Sequence, residues 1–342
     1  MKIAIIVPFY QEKQGILTRC LSSIFQQTLD AAHQVRIVIV DDESPIDPIE
    51  DIIAAGEPPA NMRIEVLHRE NGGPGAARNT GLDAVMGRTD VIALIDSDDT
   101  WRPDHLKRAV RALASGFDIY FSDHDRGSEQ SRYLQGTDLF NAIQSQDFES
   151  SRFIRLNGNM VALEANDAAE FFALEYLAHT SSIAYKARKL GEIRMLEDLR
   201  SAGEDHLFFV DLVLASRKIC MSLDSEVVLG TGVNIYFSAF DWGSERDLHR
   251  RTYNLASLKV VRDRAHWSRA TRSGLTRRLR LTRLTLGQLL VRQIFTGPST
   301  LPRVVRFVWR FDPLAVVAAP MNAFLFSVAH AIQGPRFIAS LK

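Results

Sequence analysis

A chain of 342 residues with 46% hydrophobic and 24% charged residues holds one large domain or two smaller ones, and it excludes a disordered or collagen-like protein. The formal net charge is zero, and no nucleic-acid partner is expected. The zero conceals an asymmetry: residues 266–342 carry eleven Arg, one Lys and a single acid, Asp312, so a body of net −11 precedes a tail of net +11. Such a split gives the tail a partner of its own, an anionic surface or the acidic body itself.

In chain order, residues 2–7 read as a buried strand ended by Pro8. A helical period follows over 15–28, then a strand over 35–40 that runs into Asp41-Asp42-Glu43-Ser44. A short helix over 48–55 and a strand over 63–67 come next. Gly72-Gly73-Pro74-Gly75 is a turn opening a helix through about Met86. A fourth strand over 91–95, a helix over 104–114 started by Pro103, and a strand over 117–122 complete an alternating pattern. This alternation predicts a mostly parallel sheet covered on both faces, with ligands beyond the carboxyl ends of the strands. Residues 125–180 show weaker patterning. A strand over 181–187, a helix over 204–216 and further strands within 218–229 follow.

The tail predicts a helix over 274–295 with Leu275, Leu279, Leu286 and Leu290 on one face. Together with Val304, Val308 and Trp309 among arginines, it resembles an interfacial membrane anchor, or else forms a helical cap on the body. No run of about twenty uninterrupted apolar residues exists. Residues 313–332 come nearest, broken by Pro320, Asn322 and His330. The first residues are too short an apolar run for a signal peptide, so a peripheral protein of the cytoplasmic side is expected. Cys20 and Cys220 fit no metal-ligand spacing and read as free thiols.

The densest chemistry is Val-Ile-Ala-Leu-Ile-Asp-Ser-Asp-Asp, residues 91–99. A buried strand delivers Asp96, Asp98 and Asp99 to one place, and like charges that close repel unless something offsets them. A divalent cation is the obvious offset, and Mg²⁺ or Mn²⁺ held by carboxylates commonly receives a phosphorylated ligand. Tyr10, after strand one, can stack on a nucleobase. Asp41 can accept from a base or ribose, or serve as a turn residue. Gly73-Pro74-Gly75-Ala76-Ala77-Arg78 starts like a dinucleotide fingerprint but has Arg78 at the third glycine position, so that reading fails.

The segments V-P-F-Y-Q-E (7–12), V-D-D-E-S (40–44), N-G-G-P-G-A-A-R-N-T-G (71–81), I-D-S-D-D (95–99), H-T-S-S-I-A-Y-K (179–186) and G-E-D-H (203–206) together resemble family 2 glycosyltransferases of the GT-A fold. Residues 2–99 are most similar to bacterial exopolysaccharide transferases of the succinoglycan type. The resemblance covers roughly residues 1–230, and with the charge split it gives an expected catalytic domain over 1–265 and a basic, mostly helical extension over 266–342. It implies a nucleotide-sugar site formed by Pro8, Tyr10, Glu12, Asp41, Arg78, Asp96, Ser97 and Asp98. Mn²⁺ or Mg²⁺ would sit on Asp98 and Asp99, with Asp96 a further ligand. Asp205 would be the general base, with Glu204 the alternative. The implied reaction is inverting transfer of one sugar, most commonly from a UDP-hexose, to a saccharide or lipid-linked acceptor. The Q-x-x-R-W motif of processive members is absent after Asp205. Two rivals are a haloacid-dehalogenase-type phosphatase using Asp96 and Asp98 in D-x-D-x-T, and a non-catalytic nucleotide-sugar-binding scaffold.

Overall fold

The computed structural model of the chain describes residues 1–127, 132–145, 153–200, 202–232, 242–297 and 299–333. The chain divides into two compact units, Met1–Glu197 with Phe208–Val233, and Asp198–Leu207 with Asn234–Lys342. The first opens with β1 (Lys2–Phe9), α1 (Ile16–Phe25), β2 (Gln34–Asp41), α2 (Ile49–Ala55), β3 (Met62–His68), α3 (Pro74–Val85) and β4 (Val91–Leu94). β5 (Thr100–Trp101), α4 (His105–Ala114), β6 (Ile119–Asp125), α5 (Asp138–Gln144), β7 (Phe153–Arg155) and β8 (Met160–Glu164) follow. Then come α6 (Ala165–Leu174), β9 (Ile183–Lys186), α7 (Ala187–Leu190), α8 (Glu204–Ala215) and β10 (Lys218–Val228). The unit boundary between Leu207 and Phe208 falls within α8.

Among the described residues the strands form one sheet of order β3-β2-β1-β4-β9-β6-β10-β8-β7, with β5 on β10. The first four are mutually parallel, because helices α1, α2 and α3 return the chain to the same edge between strands. β1 lies between β2 and β4 and is buried from Ile3 to Phe9, which explains its unbroken apolar run. Leu17, Cys20, Leu21 and Ile24 of α1 pack into the same core. Both cysteines are free and buried.

The other half of the sheet is mixed. β9 inserts antiparallel between β4 and β6, and β8 and β7 run antiparallel on the far edge. The short elements within 125–180 leave little periodicity to read. β1 also continues through Pro8 to Phe9, where the sequence predicts a stop. Its pairing with β4 ends at Ile6, so the missing N–H of Pro8 breaks no bond on that side. The strands expected within 218–229 are one strand, bent by irregularities between Ser222 and Val227.

The second unit contains α9 (Glu245–Arg264), α10 (Arg269–Thr296), α11 (Leu301–Phe311), α12 (Pro313–Val317) and α13 (Ala319–Gln333). α9 therefore belongs with the basic helices, although the sequence division at residue 265 groups it with the sheet. Ser244 and Ser268 cap α9 and α10 by accepting from the N–H groups of Asp247 and Thr271. The predicted face of α10 is buried at Leu275, Leu279, Leu286 and Leu290. Leu279, Leu286 and Leu290 form a core with Leu248, Leu255, Val304 and Val308. That face is thus spent inside the unit and is not a free anchor. Among the described residues no helix is long and apolar enough to cross a membrane.

Asp312, the tail's sole acid, is 1% exposed and accepts two bonds from Arg283, at 2.6 and 2.7 Å. Arg283→Met should leave that buried carboxylate without its cation and cost about 3–5 kcal/mol, seen as an earlier urea transition of the helical unit. An unchanged transition would show that the pair carries no net stability.

Candidate active site

The parallel register of β1, β2 and β4 brings their carboxyl ends side by side, and the loops beyond are tied to one another. Gln11 donates its backbone N–H to Ser44 Oγ at 2.8 Å and its Nε2–H to Ser97 Oγ at 3.0 Å, linking all three loops. Asp41 accepts from Ser44 N–H at 2.8 Å and lies 3.1 Å from His68 Nδ1. Asp42 accepts from Gly72 and Gly73 N–H at 2.9 and 2.7 Å, fixing the glycine turn before α3. Pro8 is buried, Tyr10 half-buried and Glu12 exposed.

α3 places Arg78 against the aspartate loop, and its guanidinium donates to Asp96 Oδ1 at 2.5 Å. Thr180 Oγ donates to Asp96 Oδ2 at 2.9 Å. Burial pushes the Asp96 carboxyl up, but Arg78, His179 and these hydrogen bonds outweigh it and hold the pKa below the usual value. Asp98 and Asp99 go the other way. Burial and the neighbouring Asp96 charge raise Asp98. Burial, Asp96 and Asp98 raise Asp99 well above the ordinary carboxylate range. Ser181 Oγ donates to Asp99 Oδ2 at 2.5 Å, and His179 Nδ1 stands 3.4 Å from the same oxygen. Burial lowers the pKa of His179 against the opposing pull of Asp96, and burial with His179 nearby lowers that of His124 to about 3. The two rings are 5.3 Å apart, centroid to centroid.

Asp96, Asp99 and His179 each offer a ligand atom within 4.8 Å of the others. Two carboxylates and an imidazole converging in this way suit a divalent cation, so the residues fit a metal site. Asp98 turns its Oδ2 to the N–H of Gly232, at 2.8 Å, and Asp99 Oδ1 takes the N–H of Gly230, also at 2.8 Å. This Gly230-Thr231-Gly232 strap leaves β10, and no sequence motif marks it. A Cβ on Gly230 would come within 1.8 Å of the Asp98 carbonyl oxygen, and one on Gly232 within 2.7 Å of Asp98 Cβ.

Sequence reasoning assigns no role to Gln11, His179, Thr180, Ser181 or the strap. His179-Thr180-Ser181 appears only as part of a motif, and the turn leading into β9 brings Thr180 and Ser181 to the aspartates from more than eighty residues away. Glu204 and Asp205 occupy the first turn of α8 and belong to the second unit. Glu204 is buried, and Asp205 is half-buried, with Oδ1 accepting from the N–H of His206 at 2.7 Å. Gly203 before them has φ 87°, and its carbonyl accepts from Ser257 Oγ at 3.1 Å.

The family model described as Glycosyl transferase family 2 matches residues 4–174. The succinoglycan biosynthesis protein ExoW of Rhizobium meliloti (strain 1021) is 35% identical over 241 residues, 69% of this chain and 71% of that protein. The chain belongs to glycosyltransferase family 2. It is a glycosyltransferase, and this removes both the phosphatase reading of D-x-D-x-T and the non-catalytic scaffold. The fold agrees: S. aureus TarS 1–349, solved with UDP-GlcNAc, superposes with a TM-score of 0.57 at 16% identity, over 98% of this chain and 92% of that one. The mannosyltransferase PcManGT of Pyrobaculum calidifontis, solved with GDP-Man and Mn²⁺, gives 0.54 at 15%, over 97% and 87%.

In this family 2 enzyme, Gly230→Ala should displace the strap and with it Asp98 and Asp99. The expected cost is about 1–3 kcal/mol, with weakened Mn²⁺ binding. Gly136→Ala, where an added Cβ meets nothing within 4 Å, is the control and should stay within about 0.5 kcal/mol of wild type. Thermal melts with and without Mn²⁺ compare them; equal behaviour of the two variants would remove the strap from the site.

Proposed function

We propose that the chain is an inverting, metal-dependent, non-processive enzyme that moves one sugar from a UDP-hexose to a hydroxyl of a lipid-linked saccharide. The setting is exopolysaccharide assembly at the cytoplasmic face of a membrane. The observation that carries the reading is the aspartate loop: where β4 ends, Asp96, Asp99 and His179 each offer a ligand atom within 4.8 Å of the others, and Gln11 ties this loop to the loops that follow Tyr10 and Asp41. That is a place for a cation and a nucleoside diphosphate. The relatedness to ExoW, a succinoglycan biosynthesis protein, supports the polysaccharide setting. The fold shared with TarS, solved with UDP-GlcNAc, supports a UDP-sugar donor.

The roles follow from residue chemistry. Pro8 and Tyr10 line the base, and Asp41 accepts from the base or ribose. Glu12 and Ser97 border the donor. Arg78, now bound to Asp96, is a guanidinium that a diphosphate can share. Mn²⁺ or Mg²⁺ on Asp98 and Asp99, with Asp96 and His179 beside them, would supply charge neutralisation to the diphosphate leaving group. Asp205 takes the proton of the acceptor hydroxyl as its oxygen attacks the anomeric carbon from the face opposite the nucleotide. Glu204 is the alternative base. The absence of a Q-x-x-R-W segment after Asp205 supports single transfer.

The test is a pair of variants. Asp205→Asn should reduce sugar transfer by about 10²–10⁴-fold while UDP-sugar affinity, measured by calorimetry, stays near wild type. Glu204→Gln should keep most of the activity. Collapse of Glu204→Gln with Asp205→Asn active moves the base to Glu204; full activity of both defeats the mechanism.

A further inference from the structure

Helix α13 has two unlike faces. Ala319, Ala323 and Phe326 are buried in the second unit, and the Phe326 ring stacks on Trp242 at 5.4 Å and 10°. On the other face Met321, Phe324, Leu325, Val328 and Ile332 are exposed, Phe324 at 64% and Ile332 at 79%. Leu314 and Val317 of α12, also exposed, continue the same three-and-four spacing backwards. An unbroken stripe of large apolar side chains in water is costly and marks an interaction surface. Residues 313–333 contain no Asp, Glu, Lys or Arg, so the stripe's own segment carries no formal charge.

The charge of the tail favours one occupant. Arg272, Arg277 and Arg280 on α10, and Arg303 and Arg306 on α11, are exposed. Asp312, the only acid after residue 265, is buried on Arg283. From residue 266 onward, every exposed formal charge among the described residues is therefore positive. A second copy of this chain would bring two strongly cationic tails together. Anionic lipid headgroups would accept the arginines, and the acyl boundary would accept the stripe. A helix of fifteen residues is about 22 Å long, shorter than a bilayer core of about 30 Å, which fits a helix lying in the interface.

We infer that the α12–α13 stripe is the surface by which this protein docks in the plane of an anionic bilayer, with the arginines of α10 and α11 on the headgroups. The inference rests on the proposed lipid-linked acceptor for its purpose, but not for its physics. It narrows the anchor expected from sequence over 266–342 to α12–α13, since the apolar face of α10 is core.

Co-sedimentation of the full chain tests it, with vesicles of phosphatidylcholine alone and of phosphatidylcholine with phosphatidylglycerol, at low and high salt. Wild type should bind the anionic vesicles and lose about tenfold or more in affinity at high salt or on neutral vesicles. The triple variant Phe324→Ser/Leu325→Ser/Ile332→Ser should lose about tenfold or more on anionic vesicles at low salt. Arg303→Gln/Arg306→Gln should bind more weakly with a shallower salt dependence. Circular dichroism and UDP affinity on each variant establish that the fold survives. Wild type remaining in the supernatant, or a folded triple variant binding like wild type, would overturn the inference. So would self-association in sedimentation velocity that the triple variant abolishes, which would assign the stripe to a second copy. Transfer to a soluble acceptor separates the two proposals: a triple variant that has left the vesicles yet still transfers sugar leaves the proposed function standing.

Discussion

Three carboxylates within four residues, at the end of a fully buried strand, form the constraint on which the site is built. Their mutual repulsion in a poorly solvated place amounts to several kcal/mol unless it is offset. The fold offsets it unevenly. Asp96 receives a buried guanidinium and a hydroxyl and is held as an anion. Asp98 and Asp99 receive backbone N–H groups and a serine hydroxyl, and their carboxyls remain raised. An arrangement that leaves two carboxylates undercompensated stores affinity for a cation, and through the cation for a diphosphate.

The supports of this loop come from distant parts of the chain. Arg78 arrives on α3, Thr180 and Ser181 on the turn before β9, and Gly230 and Gly232 on the strap after β10. The insertion of β9 between β4 and β6 is what brings His179 to Asp99. A buried box reinforces the last stretch of β10, where Glu226 takes Tyr120 Oη at 2.7 Å, lies 2.9 Å from His105 Nδ1 and 3.1 Å from Arg108. Because Arg102 N–H also bonds the Glu226 carbonyl at 2.8 Å, the strand end that emits the strap is held on both sides.

What was legible in the sequence follows from this geometry. Parallel strands covered on both faces are continuous apolar runs, so β1, β2 and β4 and the acidic loops after them could be read directly. Gln11, His179 and the strap could not, because their meaning lies in partners tens of residues away and their types are ordinary in loops. The three- to five-residue strands β7, β8 and β9 are too short to display a period. In the tail, a helical period showed that α10 buries a face but not against what. Leu279, Leu286 and Leu290 meet Leu248 and Val304, whereas the stripe open to water lies on α12–α13, in a segment legible only as a failed membrane span.

The central claim is that the donor nucleotide and a divalent cation share one site, held together by the undercompensated aspartates. Calorimetric titration of UDP into the full chain with Mn²⁺ and with excess chelator tests it most directly. The account predicts affinity at least about tenfold higher with Mn²⁺, a difference of about 1.4 kcal/mol, and loss of that gain in Asp98→Asn. Equal UDP affinity under both conditions in the wild-type chain would contradict it.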